Sequence, residues 1–425
     1  ADREADRQEA PPDPARQARQ VTGYPTRIDF ATAAEIVREV AGNRMLKAER
    51  VPVTRASGRV LAEDIVSPIA LPPFDNSRMD GFAFAHASLS TEGPTALRLA
   101  GAQFAGLLQD LHVAPGECVR ITTGAPLPRG TDTVAIKEDC IEERGSVRVP
   151  AGIASGADVR RCGEDVPAGV RVLEEGQVLT PARASLAAAL GVASMAVTQR
   201  PTVAVFTTGD ELVEPGLPLA PGQIYNSNRE LLLGLLRAEG LEPTAWPTLP
   251  DDPERMAAML TDAAAAFDVV ITCGGVSAGE KDHLPGLLAT HGRIHFWKVR
   301  MKPGMPVLFG DMDRALFLGL PGNPVSVLAT FLTLGRELLD GLQRRRESRP
   351  QWKAVLTAPW RKTHARLEFL RGGLGSAADG RLQVTPNAAD ASHHLRAAAD
   401  SNALIVLPEG AHDYRAGDVV DVIGC

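Results

Sequence analysis

Three short loops carry most of the side chains in this sequence that could do chemistry. They are Thr207-Thr208-Gly209-Asp210-Glu211, the stretch CGGVSAGEKD over residues 273–282, and Leu320-Pro321-Gly322-Asn323-Pro324. Each follows an apolar run that reads as a strand. In open α/β sheets, ligands sit beyond the carboxyl ends of the strands. Gly-rich turns there expose backbone N–H groups, and helix N-termini that follow them favour anions. The same loops hold carboxylates at Asp210, Glu211, Glu280 and Asp282. Anion-binding backbone beside carboxylates points to a phosphorylated ligand accompanied by Mg²⁺. One Gly after a strand is ordinary turn chemistry, but three such loops in one sheet favour a ligand site. Neither a GxxxxGK[ST] loop nor a GxGxxG fingerprint is present, which excludes the usual P-loop and Rossmann sites.

The main basic cluster is KVRMKPGMP, residues 298–306. A strand over 294–300 would put Lys298 and Arg300 on one face, with Lys302 at the turn made by Pro303 and Gly304. Such a turn either holds cations against an anionic ligand or is an exposed strand end, the commoner setting for Lys. Two further segments stay open. Asp75-Asn76-Ser77 and Asp80-Gly81 are turn formers, either structural or offered to a ligand. Arg160-Arg161 either grips an oxyanion or pairs internally in the mixed-charge loop that continues to Asp165. Thr122-Thr123-Gly124 is another hydroxyl-bearing turn. His393-His394 without further partners is a weak metal motif.

The elements that must position these residues change along the chain. A helix is predicted over 32–41, with Thr32 and Glu35 as a capping box and Ala33, Ile36, Val37 and Val40 as its apolar stripe. Residues 45–200 alternate short apolar runs with Gly and Pro clusters and read as β-rich, with one helix over 181–191. Residues 201–342 alternate strands (203–207, 268–273, 294–299, 307–309, 316–318) with helices. These helices are 229–239 behind a Ser227/Glu230 capping box, Asp252-Pro253 to about 266, 283–290, and one from 324. That alternation argues for a parallel or mixed sheet covered by helices. Five short strands between 354 and 423 read as a small barrel or sandwich.

Composition narrows the class. The 425 residues are 44% hydrophobic and 23% charged, as in globular proteins. Lys and Arg number 45 against 52 Asp and Glu, a net charge of −7. An acidic chain is a poor sequence-independent nucleic-acid binder. Cys118, Cys140, Cys162, Cys273 and Cys425 lack CxxC spacing, so reduced thiols in a cytoplasmic protein are expected. No apolar window is long enough for a membrane span. Residues 1–27 read as a flexible tail.

In their order and content, eight segments resemble one family, the molybdopterin molybdotransferases or MoeA family, which includes the C-terminal E domain of gephyrin. The segments are PPFDNSRMDGFAF (72–84), TGAPLPRGTDTV (123–134), RRCGEDV (160–166), TTGDELVEPG (207–216), IYNSN (224–228), TCGGVSAGEKDHL (272–284), KVRMKPGMPV (298–307) and GLPGNPVSVLATF (319–331). The resemblance runs from about residue 28 to the C-terminus. It implies a multidomain α/β plus β fold. Its parts would be an elongated linker domain (28–70 and 165–199), a β-rich inserted domain (71–164), a MogA-like α/β molybdopterin-binding domain (200–345) and a C-terminal β-barrel (346–425).

The resemblance also implies a transferase of molybdenum cofactor biosynthesis. With Mg²⁺, it would insert molybdenum from molybdate into adenylylated molybdopterin and release AMP. It implies a homodimer whose cleft is shared between subunits, and transient contacts with the adenylyltransferase and with molybdoenzyme maturation factors. No nucleic-acid or membrane partner is expected. The family's acidic positions match Asp80, Asp165, Glu211, Asp251 and Asp282, and its basic positions match Lys298 and Lys302. Glu211, Asp251 and Asp282 are expected at the metal. Lys298 and Lys302 are expected at phosphate or molybdate, and Asp80 is expected to close the cleft from the other subunit. Thr123, Arg160, Gly209, Asp210, Gly274, Gly275, Ser277, Pro321, Gly322 and Asn323 are expected along the ligand. Two departures stand out: Met305 where the family often has Lys, and Cys273 where Ser is common.

Overall fold

The computed structural model of the chain describes residues 23–44, 46–106, 109–277, 279, 282–389 and 391–425. The tail expected over 1–27 lies outside the described residues as far as residue 22, and Glu280 also lies outside them. The chain forms two compact units, one from residues up to 49 together with 198–425, the other from 50–197.

The first unit is built on a seven-stranded sheet. Its strands are β1 (Thr26–Ile28), β2 (Val203–Thr207), β3 (Thr244–Ala245), β4 (Val269–Cys273), β5 (Arg293–Val299), β6 (Leu308–Met312) and β7 (Ala315–Leu320). Their order across the sheet is β1-β5-β6-β7-β4-β2-β3. The run β7-β4-β2-β3 is parallel, whereas β6 is antiparallel to both β5 and β7. Residues 26–28 are therefore an edge strand and not part of a tail.

Strand periodicity divides the cores. Val203 and Val205 point to one face with Leu232, Leu236 and Leu338, while Ala204 and Phe206 point to the other with Met256, Leu260 and Leu288. The first face is covered by α1 (Phe30–Asn43), α2 (Ser227–Ala238), α5 (Pro324–Thr330) and α6 (Arg336–Leu342). The second is covered by α3 (Pro253–Ala266) and α4 (Leu284–His291). Two-sided burial explains why these strands read as unbroken apolar runs.

The helix starts correct two capping expectations. Asp29, not Thr32, caps α1, and its carboxylate accepts from the Thr32 N–H at 2.8 Å. Asn226, not Ser227, caps α2. Asp252 and Pro253 start α3 as expected. Helix α1 was expected in the linker domain with residues 28–70. Its Ala33, Val37 and Ala41 pack instead into the α/β core.

The C-terminal segment closes into a five-stranded ring. Leu367–Ser376, Leu382–Pro386, Trp352–Leu356, Val419–Gly424 and Ala403–Leu407 pair in that order, and the last returns to the first. The short strand Met301–Lys302 pairs in parallel with the start of Leu367–Ser376. A charged knot ties the end of α2 to α6 and the entry to the ring. Glu239 accepts from Arg336 Nε and Arg349 Nη2, each at 2.7 Å, and Arg349 Nε also reaches Asp340 at 2.6 Å.

The second unit contains a six-stranded sheet whose strands are, in order, Thr133–Ile136, Gly81–Phe84, Glu117–Ile121, Thr95–Gln103, Ser146–Val149 and Ile141–Glu143. A separate core joins Val51, Leu61 and Ile65 to Leu173, Leu179, Met195 and Val197. Among the described residues no helix is long and apolar enough to cross a membrane.

Burial opposes ionisation of Glu239, but Arg349 and Arg336 outweigh it and hold its carboxyl below the usual range. Its stabilising effect is thus complete above the unfolded-state value and is lost as pH falls through the folded value. Glu239→Gln is expected to cost about 3 kcal/mol at neutral pH. Thermal unfolding across pH 3–7 checks this: the gap from the parent protein should shrink on the acid side.

Candidate functional site

The three Gly-rich loops leave the carboxyl ends of β2, β4 and β7, which are adjacent and parallel. Two backbone hydrogen bonds stitch them together. The Thr208 N–H donates to the Cys273 carbonyl and the Gly274 N–H to the Leu320 carbonyl, each at 3.0 Å. The seam is tight. Gly274 has φ +91°, and a Cβ there would overlap the Thr208 hydroxyl. Gly209 has φ +130°, and a Cβ on it would overlap the Glu211 carboxylate. Glycine is required at both positions because L side chains rarely adopt such φ values. Among the described residues, the N–H groups of Gly209, Gly275, Ser277 and Gly322 meet no acceptor in the protein. They form a row of donors at the loop tips, fit for an anion.

Amide side chains brace this row. Asn226, 1% exposed, caps α2 and donates through Nδ2 to Thr207 Oγ1 at 2.8 Å. Asn228 Nδ2 donates to the Gly322 carbonyl at 2.6 Å. Asn323 Nδ2 donates to Ser392 Oγ at 2.8 Å, joining the third loop to the C-terminal region. Thr207, Asn226 and Asn228 were not among the expected site residues. The segment IYNSN held the signal, since Asn is a strong N-cap.

The acidic residues are distributed along the same edge. The Asp251 N–H donates to Asp210 Oδ1 at 3.4 Å, which brings these two positions together. Asp282 Oδ2 accepts from the Gly279 N–H at 2.7 Å, so its carboxylate shapes its own loop. Among the described residues, no three His, Cys, Asp or Glu side chains lie close enough to hold one ion. Glu211, Asp251 and Asp282 therefore do not form a ready-made cage. The donor chemistry still fits Mg²⁺, which usually takes one or two carboxylates plus substrate phosphates. Cys273 is fully buried, and burial drives its thiol far above the usual range. It is core and not a nucleophile.

The basic segment departs from its expected geometry. Strand β5 ends at Val299, and Lys298 has φ +68°. That left-handed residue breaks the strand's alternation, so Lys298 and Arg300 do not share a strand face. Lys298 Nζ lies 4.0 Å from the centroid of the Trp297 ring, and Arg300 pairs with Glu409 at 3.3 Å. Lys302 Nζ pairs at 3.0 Å with Glu368, whose side chain is only 3% exposed. Its charge is thus already engaged by the C-terminal ring. At Met305, the Arg366 Nη1 comes within 4.0 Å of the sulfur.

In the second unit, three segments interlace. Asn76–Ser77 pairs with Val159–Arg160, and the Gly124 N–H donates to the Ser77 carbonyl. Thr123 donates to Asp80 Oδ1 from its N–H at 2.7 Å and its hydroxyl at 2.9 Å. These bonds, aided by Lys137, hold the exposed Asp80 carboxyl below its usual range. Arg161 pairs with Asp75 at 2.7 Å and the Cys162 N–H bonds the same carboxylate. The Arg160-Arg161 pair is thus split: Arg161 is structural, while Arg160 makes no ion pair among the described residues. The Asp165 N–H donates to the Leu71 carbonyl, which leaves its exposed side chain facing solvent.

Comparison with known proteins matches three regions of the chain. Residues 28–191 match the MoeA N-terminal region (domain I and II), 204–341 a probable molybdopterin binding domain, and 353–424 the MoeA C-terminal region (domain IV). The molybdopterin molybdenumtransferase of Haemophilus influenzae is 38% identical over 377 residues, covering 88% of this chain and 93% of that protein. Molybdopterin molybdenumtransferase 2 of Mycobacterium tuberculosis is 39% identical over 383 residues, covering 88% and 94%. A crystal structure of the molybdopterin biosynthesis MoeA protein of Pyrococcus horikoshii OT3 matches with a TM-score of 0.80 at 27% identity, covering 94% of this chain and all of that one.

The seam gives a paired test. Gly274→Ala is expected to destabilise by about 1–3 kcal/mol and to disrupt ligand binding. Gly286→Ala, with nothing within 4 Å of the added Cβ in α4, should stabilise by about 0.5–1 kcal/mol. Chemical denaturation of both variants measures the contrast.

Proposed function

Because this chain belongs to the MoeA family, we propose that it is a molybdopterin molybdenumtransferase acting in molybdenum cofactor biosynthesis. Its substrates are adenylylated molybdopterin and molybdate. The observation that carries the reading is the row of backbone donors at Gly209, Gly275, Ser277 and Gly322, beyond three stitched parallel strands. A phosphoanhydride needs such donors, cations nearby, and carboxylates that can orient water. All three classes lie on this edge.

The residues divide the work. The loop N–H groups bind phosphate oxygens in fixed positions, so little reorganisation is needed as charge develops. Lys298 adds a positive charge beside the second loop. Glu211, Asp251 and Asp282 would hold Mg²⁺ with the substrate phosphates, and the ion would neutralise charge at phosphorus. Water adds to the phosphoanhydride, the P–O bond to the adenylyl phosphate breaks, and AMP leaves. The two dithiolene thiols then bind molybdenum of molybdate, and their two protons leave with one of its oxygens as water. Lys302, tied to Glu368, sits where the C-terminal ring meets the KPG turn and serves as a fixed cation for the oxyanion.

The reading includes a cytoplasmic homodimer in which Asp80, Thr123, Arg160 and Asp165 of one subunit serve the loops of its partner. What supports this part is the motif content of residues 72–84, 123–134 and 160–166. It also includes transient delivery by the adenylyltransferase and hand-over to maturation factors.

The test is AMP release from adenylylated molybdopterin with Mg²⁺, with and without molybdate. Release that depends on molybdate is expected, together with a fall of about a hundredfold or more in Asp80→Ala. Mixing inactive Asp80→Ala with inactive Asp282→Asn should restore part of the activity, because some mixed dimers then keep one intact cleft. No molybdate dependence would sink the reading, and no rescue on mixing would sink the shared cleft.

A further inference from the structure

Asn226 is a buried amide from which hydrogen bonds run to the segments that carry two of the acidic residues on this edge. Its side chain, in a residue 1% exposed, donates from Nδ2 to Thr207 Oγ1 at 2.8 Å and accepts from the Arg229 N–H at 3.3 Å. Its own N–H donates to the Val213 carbonyl at 2.9 Å, and the Ile224 N–H donates to the Glu211 carbonyl at the same distance. Residues 211–213 are thereby laid along residues 224–226, with Leu212 opposite Ile224 and Val213 opposite Tyr225. Thr207 carries the connection onward. Its carbonyl accepts from the Leu249 N–H at 2.8 Å, its hydroxyl lies 3.4 Å from that of Thr248, and Thr208 bridges to Leu249 in parallel. Asp251 follows two residues later, where its N–H meets Asp210 Oδ1 at 3.4 Å. One buried side chain thus connects the segment that carries Glu211 with the segment that carries Asp251.

We propose that Asn226 is a positioning residue for the divalent cation: through Val213 and Thr207 it sets the spacing of the Glu211 and Asp251 carboxylates, so that both reach one ion held together with the substrate phosphates. The inference rests on the reading of Glu211 and Asp251 as metal ligands. Mg²⁺ demands near-ideal octahedral geometry and takes one or two carboxylates beside phosphates, so a small displacement of either carboxylate costs affinity. Side chains that hold ligands in place therefore matter nearly as much as the ligands themselves. The anchor is rigid on its other side as well. Asn226 caps α2, whose Leu232, Leu233 and Leu236 are buried, and Arg229 in the first turn of that helix pairs with Glu214, the neighbour of Val213.

Mn²⁺ is the probe in place of Mg²⁺, with AMP present and the full-length chain as the protein. Electron paramagnetic resonance counts free Mn²⁺ and so measures binding without turnover. The parent protein is compared with Asn226→Ala, Thr207→Val and Thr207→Ser, with thermal unfolding as the check on folding. Thr207→Val keeps the shape and loses the hydroxyl, whereas Thr207→Ser keeps the hydroxyl. Mn²⁺ binding is expected to weaken about tenfold or more in Asn226→Ala and Thr207→Val, and to stay within about threefold of the parent in Thr207→Ser. AMP binding without metal should be unchanged in all three, a split that a general loosening of the fold would not produce. Should Asn226→Ala fail to fold, the Thr207 pair decides alone. If the folded variants bind Mn²⁺ as the parent does, if Thr207→Ser loses as much as Thr207→Val, or if AMP binding falls in step with Mn²⁺ binding, the inference is overturned while the metal reading stands. If Glu211→Gln and Asp251→Asn leave Mn²⁺ binding unchanged, the metal reading falls and takes the inference with it.

Discussion

The parallel register of three neighbouring strands is the constraint on which the site depends. Val203–Thr207, Val269–Cys273 and Ala315–Leu320 run side by side, with Thr207 opposite Cys273 and Cys273 opposite Leu320. Equal register ends all three at one level, so their loops emerge together. The bonds from Thr208 to Cys273 and from Gly274 to Leu320 extend the ladder one step into the loops. Beyond that step the N–H groups are no longer used by the sheet. A one-residue slip would invert every strand side chain between the two cores. The hydrophobic division that stabilises the sheet therefore also fixes where the donors lie.

Charge is placed on this frame by means that differ from loop to loop. Lys298 is held by a left-handed backbone and an aromatic face. Lys302 is held by a buried carboxylate from the C-terminal ring, its cross-strand neighbour Glu368. Burial lowers the affinity of nearby Lys362 and His364 for protons, and Lys362 Nζ donates to the His364 and Gly410 carbonyls. Asn323 reaches Ser392 in the same C-terminal segment. The ring is thus bonded to two of the segments that carry expected ligand residues, and its packing bears on the site directly.

Local and long-range order differed in how far the sequence revealed them. Strand 203–207 was read to the residue because a strand buried on both faces is an apolar run with sharp ends. The five strands expected in the C-terminal segment all run in the closed ring, whereas the antiparallel pair Trp360–Lys362 and His412–Tyr414 was not expected. Asp252 with Pro253 was legible because cap and first-turn chemistry are local. Cap positions at α1 and α2 slipped, because Asp29 and Asn226 compete with equally good capping residues a few places on. The face of Lys298 was misread because a left-handed lysine leaves no trace in a β pattern. The partners of Lys302 and Arg161 lie 66 and 86 positions away, at Glu368 and Asp75, and nothing in local spacing reports such distances. The three Gly-rich loops were nonetheless legible as strand-end loops, and the register of their strands brings those loops together.

The central claim is that the open N–H groups beyond these three strands receive the phosphate. Amide hydrogen exchange, read peptide by peptide with and without saturating adenylylated molybdopterin and Mg²⁺, tests it most directly. The account predicts new protection in residues 207–211, 273–277 and 320–323 together, with little change in the strands beneath, which are already bonded. Protection confined to other segments, with these three loops exchanging as before, would contradict it.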